Sequence, residues 1–468
     1  MADAEKKSYL SVWSVASMGI GAMVGAGIFA LLGQATLLAG KAVYWSFILA
    51  GVAALLSGYS YSRLGIKYPG SGGIMDYYNQ AFHKKVIAGS LSLVYLVSLI
   101  ITVALISKSF GAYATSLFLP QTDDPVFWNA VFSTSAILIL GWLNMMAANA
   151  VGKSELIMVL IKLSILGVLM VASFGSGGEV IPEVMPKSTW SGVFSAVGLT
   201  FFAYAGYGMM ANTAGNLRNP TKSLPRAIFL AIGVVMVLYI ILSYVVLTNV
   251  PLVELEVHSE TAIAQAAYPV LGKWGFIGVS IAALIATASA INASLFSVLR
   301  ISKGLAETSQ LVPMFMKPVL KNGSRGFLWV LLFIMVITNA FNLGFIANIV
   351  SATFVLSYLG VFVAHYILRK ETNTKPAWII TGFIVMLALW SAFMYQVGVS
   401  DIWTIVLIFA VVGLCFLVEW LVVKFVKLPN LIARGDVPNI DVPFENQIGD
   451  DNVFPEDIGV IPDEKRIK

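Results

Sequence analysis

What the chain has least of is charge. Asp, Glu, Lys and Arg make up 11% of its 468 residues, against about 25% in a soluble domain. A water-facing surface wrapped around an ordinary core is therefore excluded. Cysteine is scarcer still. Cys415 stands alone inside an apolar run, which excludes a disulfide framework and a cysteine-rich metal site. The three histidines, His83, His258 and His365, lie near the ends of apolar runs or in loops. No Asp/Glu/His cluster falls in the middle of a run, so catalytic chemistry has no constellation to use. An enzyme is not expected, and neither is a cofactor or a metal.

What is there is apolar sequence. Hydrophobic residues make up 58% of the chain, and mean hydropathy is +0.86. A bilayer can accommodate this, because lipid replaces water around the outer faces of helices. Runs of about 20 apolar residues, each long enough to cross ~30 Å of hydrocarbon, predict twelve transmembrane helices. They cover 12–38, 43–62, 86–110, 127–147, 153–175, 190–211, 226–249, 274–303, 326–343, 345–368, 377–397 and 402–424. Spans 9 and 10 are nearly continuous, and Asn342–Leu343–Gly344 is the expected turn between them.

The net charge of +5 belongs to the loops. One alternate set of loops holds Arg63, Lys67, Lys84, Lys85, Arg218, Lys222, Arg369 and Lys370, among others. The other set holds only Lys41, Lys187 and Lys273, beside acids such as Asp123, Asp124, Glu254, Glu256 and Glu260. The positive-inside rule then places both termini in the cytoplasm of a multi-pass cell-membrane protein. The opening MADAEKKSYL runs into the first span without a small-residue cleavage site, so no removable signal peptide is expected. Beyond Pro429 the composition turns acidic and Pro-containing, and 429–468 reads as a cytoplasmic tail.

Two spans are interrupted in corresponding places. Gly19, Gly21, Gly25 and Gly27 break up the first span within SMGIGAMVGAGIF, and Gly206 and Gly208 break the sixth within TFFAYAGYGMM. Glycine costs about 1 kcal/mol in a helix interior, so paired clusters call for a reason. Close packing is one, since Gly21 and Gly25 have small-xxx-small spacing. The other follows from the offset of five spans, which is the relation between two copies of an inverted repeat. Residues 12–175 and 190–368 would be the copies, 377–424 two additional helices, and 1–11 a cytoplasmic N-terminus. Unwound backbone at the midplane exposes N–H groups and carbonyls that a zwitterion can satisfy without any charged side chain.

At these residues the chain resembles the amino acid–polyamine–organocation (APC) superfamily of transporters. Four motifs carry the resemblance in order: GAMVGAGIF, YPGSGGIMDYYNQAF, FFAYAGYG followed by RNPTKSLPRAI, and ASAINASLFSVLRISKGLAETSQLVP. It implies an all-α membrane protein with the LeuT-type 5+5 inverted repeat plus two helices, moving amino acids by alternating access. It also implies that the substrate carboxylate meets the amides of Ala26, Gly27 and Ile28. The ammonium would lie near the carbonyls of Met23, Phe202 and Tyr204, with the Phe202 ring as a lid. Asn292 matches a family position, and Gly215 stands where relatives often carry an acid.

Lys162 lies in ELIMVLIKLSILGVLMV, too deep in the fifth span to snorkel. An intramembrane lysine should face the bundle and either hydrogen-bond or lose its proton. The pattern is similar to archaeal proton-coupled, broad-specificity members of the superfamily. That likeness implies that Lys162 replaces a cycling sodium ion, with the Gly21 carbonyl and Ser289 as neighbours and a proton as coupling ion. Lys108 and Arg300, nearer span ends, are expected to snorkel. The reading is proton-coupled uptake of neutral or broad-range L-amino acids. Exchange of cationic amino acids or polyamines is the alternative, although Gly208 stands where such antiporters can carry a glutamate. A transporter-like sensor is the third reading.

Overall fold

The computed structural model describes residues 10–70, 72–146, 152–175, 190–308 and 310–425, without the side chains of Ala26, Lys85, 152–157 and Phe425. The expected acidic tail and most of the expected N-terminal segment lie outside the described residues.

Helices dominate, and the only sheet among the described residues is a two-stranded antiparallel hairpin, β1 (Pro318–Val319) and β2 (Gly323–Ser324). The first half contains α1 (Val12–Ala26), α2 (Ile28–Ala39), α3 (Val43–Lys67), α4 (Ile74–Ala81), α5 (Lys85–Phe118), α6 (Pro125–Met146) and α7 (Gly152–Gly175). The second half continues with α8 (Trp190–Ala203), α9 (Gly208–Ala211), α10 (Pro220–Asn249), α11 (Leu252–His258) and α12 (Ala262–Glu307). It closes with α13 (Arg325–Ala340), α14 (Leu343–Ile367), α15 (Pro376–Ser400) and α16 (Ile402–Phe425). Among the described residues, ten helical stretches are long and apolar enough to cross a membrane, and Val12–Gly25 and Arg325–Ala340 are shorter apolar helices. The protein is an all-α, multi-pass membrane protein.

Local chemistry sets the boundaries. Ser11 caps α1 by accepting from the Ser14 amide at 3.1 Å. Pro220 opens α10, where a missing N–H costs nothing. Gly272, at φ 63°, bends α12 within its first third, a left-handed conformation that suits glycine. The break between α13 and α14 falls at Phe341–Asn342, one residue before the expected turn centre. Asn342 acts there as an N-cap, its side chain accepting from the Phe345 amide at 2.8 Å, so Leu343 and Gly344 belong to the next helix.

The buried centre is built on α5, which packs against α12, α6, α14, α16 and α13. Around it, α1 packs on α10 and α12, and α2 packs on α8. This brings the two interrupted segments, α1/α2 and α8/α9, against each other.

Candidate functional site

Each break is a glycine pressed against the other helix. A Cβ on Gly27 would lie 2.3 Å from Ala203 Cα, and one on Gly206 would lie 2.7 Å from the Met23 amide nitrogen. No side chain fits in either place, so α1/α2 and α8/α9 cross backbone to backbone. Gly27 stands between α1 and α2 at φ −106°, ψ −53°. On the other segment, α8 ends at Ala203, a 3-10 turn covers Ala205–Tyr207, and helix resumes at Gly208. Close packing and interruption, separate readings of the glycine clusters, are thus both realised at one crossing.

The carbonyls around the breaks are taken up by phenols. Tyr239 of α10 directs its hydroxyl at Met23 O (2.8 Å) and at Ala203 O (2.9 Å), one carbonyl from each broken segment. Tyr358 of α14 donates to Ala205 O at 2.8 Å, and Tyr204, itself at the second break, ties it to α3 by donating to Phe47 O at 3.0 Å. Backbone freed within a bilayer needs such partners, since lipid provides none. Tyr239 was invisible to sequence reasoning. It lies in an uninterrupted apolar run, and no pattern within α10 points to a helix two hundred residues away.

The site residues named from sequence gather at this crossing. Met23, Gly27, Ile28, Phe202 and Tyr204 are all buried. The Phe202 ring meets Phe354 edge to face at 5.6 Å, and the Tyr204 ring is 5.2 Å from that of Tyr239. Ala26 is the last residue of α1. Gly208 is enclosed by aromatic rings. A Cβ there would lie 3.2 Å from Tyr61 Cε1 and 3.3 Å from the Tyr358 hydroxyl.

Behind the crossing lies Lys162, near the middle of α7 and only 2% exposed. Its ammonium donates to Gly21 O at 2.7 Å. Val159, one turn earlier, occupies the space a Cβ on Gly21 would need, at 2.4 Å. A Cβ on Gly25 would lie 3.5 Å from Lys162 Nζ, 3.2 Å from Ala286 O and 3.3 Å from Ala290 Cβ. The ammonium therefore occupies the corner between α1, α7 and α12. Ser289, half-buried, precedes Ala290 on α12. Asn292, three residues further on, accepts from Asn144 Nδ2 at 2.7 Å and ties α12 to α6.

Two other basic residues have partners within the protein. The Lys108 ammonium donates to Thr338 O, near the end of α13, at 3.0 Å. Arg300 stacks its guanidinium over the Phe296 ring at 5.4 Å. At the same end as Lys108, the loop after α11 closes on α2. Gln34 Nε2 donates to Ser259 Oγ at 2.8 Å, and a Cβ on Gly33 would collide with Ser259 O at 2.0 Å.

The sequence profile of the amino acid permease family matches residues 10–437. The chain belongs to that family, within the APC superfamily. It is similar to the inner membrane transport protein YbaT of Escherichia coli, 41% identical over 387 residues, covering 83% of this chain and 90% of the relative. An uncharacterized protein of Methanocaldococcus jannaschii is 34% identical over 400 residues, covering 85% and 91%. The methylthioribose transporter of Bacillus subtilis is 26% identical over 430 residues, covering 86% and 91%. The permease is a membrane transporter.

Proposed function

We propose that this permease takes up neutral or broad-range L-amino acids by alternating access, coupled to protons through Lys162. The observation that carries the reading is the 2.7 Å bond from the Lys162 ammonium to Gly21 O, buried behind the crossing of the two broken segments. A cation at this place holds a backbone carbonyl of α1, the helix whose end forms one side of the crossing. Loss of its proton would remove the charge and let the bond be remade or broken. Proton binding and the position of α1 are then linked by one hydrogen bond.

The substrate would bind where α1/α2 meet α8/α9. Its carboxylate would take the amides of Ala26, Gly27 and Ile28 at the start of α2, where the helix dipole favours an anion. Its ammonium would meet the carbonyls of Met23, Phe202 and Tyr204, competing with Tyr239 for the first, with the Phe202 ring as a lid. The full reading includes twelve spans, with α1 and α2 together as the first and α13 as the ninth, in a LeuT-type 5+5 repeat followed by α15 and α16. Both termini would be cytoplasmic. Enclosure of Gly208 by Tyr61 and Tyr358 leaves no acidic partner there for a cationic side chain, which favours neutral substrates over cationic amino acids or polyamines.

Reconstituted permease tests this. An inward proton gradient without sodium should drive accumulation of labelled alanine in liposomes. Uptake that ignores the gradient and requires internal amino acid would instead identify an exchanger.

A further inference from the structure

The last helix, α16, leaves many of its apolar side chains uncovered, among them Phe409, Leu414 and Leu417. One residue on its covered side breaks the pattern. Glu419 is 0% exposed and lies six residues before the helix ends. Its carboxyl rests on Gly89 of α5, where a Cβ would lie 2.1 Å from Glu419 Oε1. Only glycine makes room for it. Neither Glu419 oxygen has a hydrogen-bond donor among the described residues.

Among the described side chains no ion pair answers the carboxyl either. The helices packed on α16 are α5, α15 and α14. Their titratable groups are Lys85, Tyr95, Lys108 and Tyr113 on α5, Tyr358, His365 and Tyr366 on α14, and Tyr395 on α15. Cys415 and Lys424 share α16 itself, and the Lys424 ammonium lies over the Trp420 ring at 4.5 Å. None of these whose side chain is described bonds or ion-pairs with Glu419.

We infer that Glu419 is a proton-binding site, separate from Lys162, whose neutral acid form keeps α16 seated on α5. An ionised carboxylate buried without a donor is among the costliest groups a fold can hold, and one proton removes that charge. An ionisable residue inside a membrane is a functional candidate on that ground alone. The Gly89 notch adds a second, independent sign, because it gives the carboxyl a fitted place without giving it a donor. Deprotonation would drive the carboxylate toward water and loosen α16 from α5, the helix around which the bundle is packed. Lys162 lies on α7, so the two sites are distinct.

Infrared difference spectroscopy on the purified protein reads the proton directly. At pH 7 the wild-type minus Glu419→Gln spectrum should contain the carbonyl stretch of one protonated carboxylic acid, converting to carboxylate as pH rises. A carboxylate band at pH 7, or no acid band, overturns the proposal. The acid form belongs to the folded protein, so thermal stability should fall as pH rises through this titration, and the Gln variant should lose that part of the slope. Proton-driven uptake should survive in Glu419→Gln, which separates this site from Lys162. Should the Gln variant not fold, the same band is sought in Glu260→Gln protein carrying 13C at its glutamate side-chain carboxyls. That substitution removes the half-buried Glu260, leaving Glu419 as the buried glutamate among those whose side chains are described; an absent band there overturns the proposal as well.

Discussion

Lys162 of α7 and Gly21 of α1 are joined by a 2.7 Å hydrogen bond from ammonium to carbonyl, in a place almost closed to solvent. The residues are 141 positions apart in the chain. Both the absence of a Cβ at Gly21 and the presence of Val159 beside it bring α7 close enough for the contact. A side chain at position 21 would push α7 away, and we expect Gly21→Val to abolish gradient-driven uptake while the protein still inserts. Wild-type uptake in that variant would show that the contact is dispensable.

Tyr239 joins the two broken segments by a single hydroxyl shared between Met23 O and Ala203 O. Tyr239→Phe leaves both carbonyls without that donor, and an unsatisfied buried acceptor costs about 1–3 kcal/mol. We expect a lower unfolding temperature in detergent and weakened amino acid uptake. Unchanged values for both would mean that the phenol does not hold the crossing.

Gly206 admits no side chain, since its Cβ position lies 2.7 Å from Met23 N and 2.8 Å from Ala22 Cβ. Gly206→Ala should destabilise the protein by roughly 1–3 kcal/mol, the usual cost of overpacking, and should abolish transport. Gly278→Ala is the control, because nothing lies within 4 Å of a Cβ there. Equal behaviour of the two variants would contradict the packed crossing.

Asp76, in α4 outside the spans, accepts from the Gly72 amide at 3.0 Å. Burial pushes its carboxyl above the ordinary carboxylate range, and the Gly72 bond works the other way less strongly. A folded carboxyl that holds its proton more tightly than an unfolded one favours the fold at low pH, and this contribution is lost as pH rises through the folded value. Asp76→Asn keeps an acceptor and cannot ionise. Its unfolding temperature should therefore vary less with pH through the carboxylate range than that of wild type. Identical slopes would contradict the assignment.

Much of the architecture could be read from the sequence because its signals are local and additive. Apolar runs of about 20 residues need no tertiary context to be recognised as candidate spans. The glycine clusters at Gly19–Gly27 and Gly206–Gly208 marked both breaks, since helices seldom tolerate such groups without cause. Lys162 was legible for a similar reason: the expense of an ammonium in hydrocarbon makes it conspicuous.

What stayed hidden depends on which helices meet. Tyr239 and Tyr358 look like ordinary aromatic residues until their hydroxyls are seen on carbonyls of other helices. Lys108 lies near enough to a span end for snorkelling to be expected, and only the position of α13 reveals Thr338 O as its acceptor. Glu419 is an acid inside an apolar run that the sequence reading passed over, and its depth and its seat on Gly89 are properties of the packing.

The central claim is that Lys162 links the proton to transport. It is tested most directly by alanine uptake into liposomes under an inward proton gradient without sodium, comparing wild type with Lys162→Ala. We expect concentrative uptake in wild type, and in the variant only equilibration that no longer responds to the gradient. Equal gradient-driven accumulation by both proteins would contradict the account.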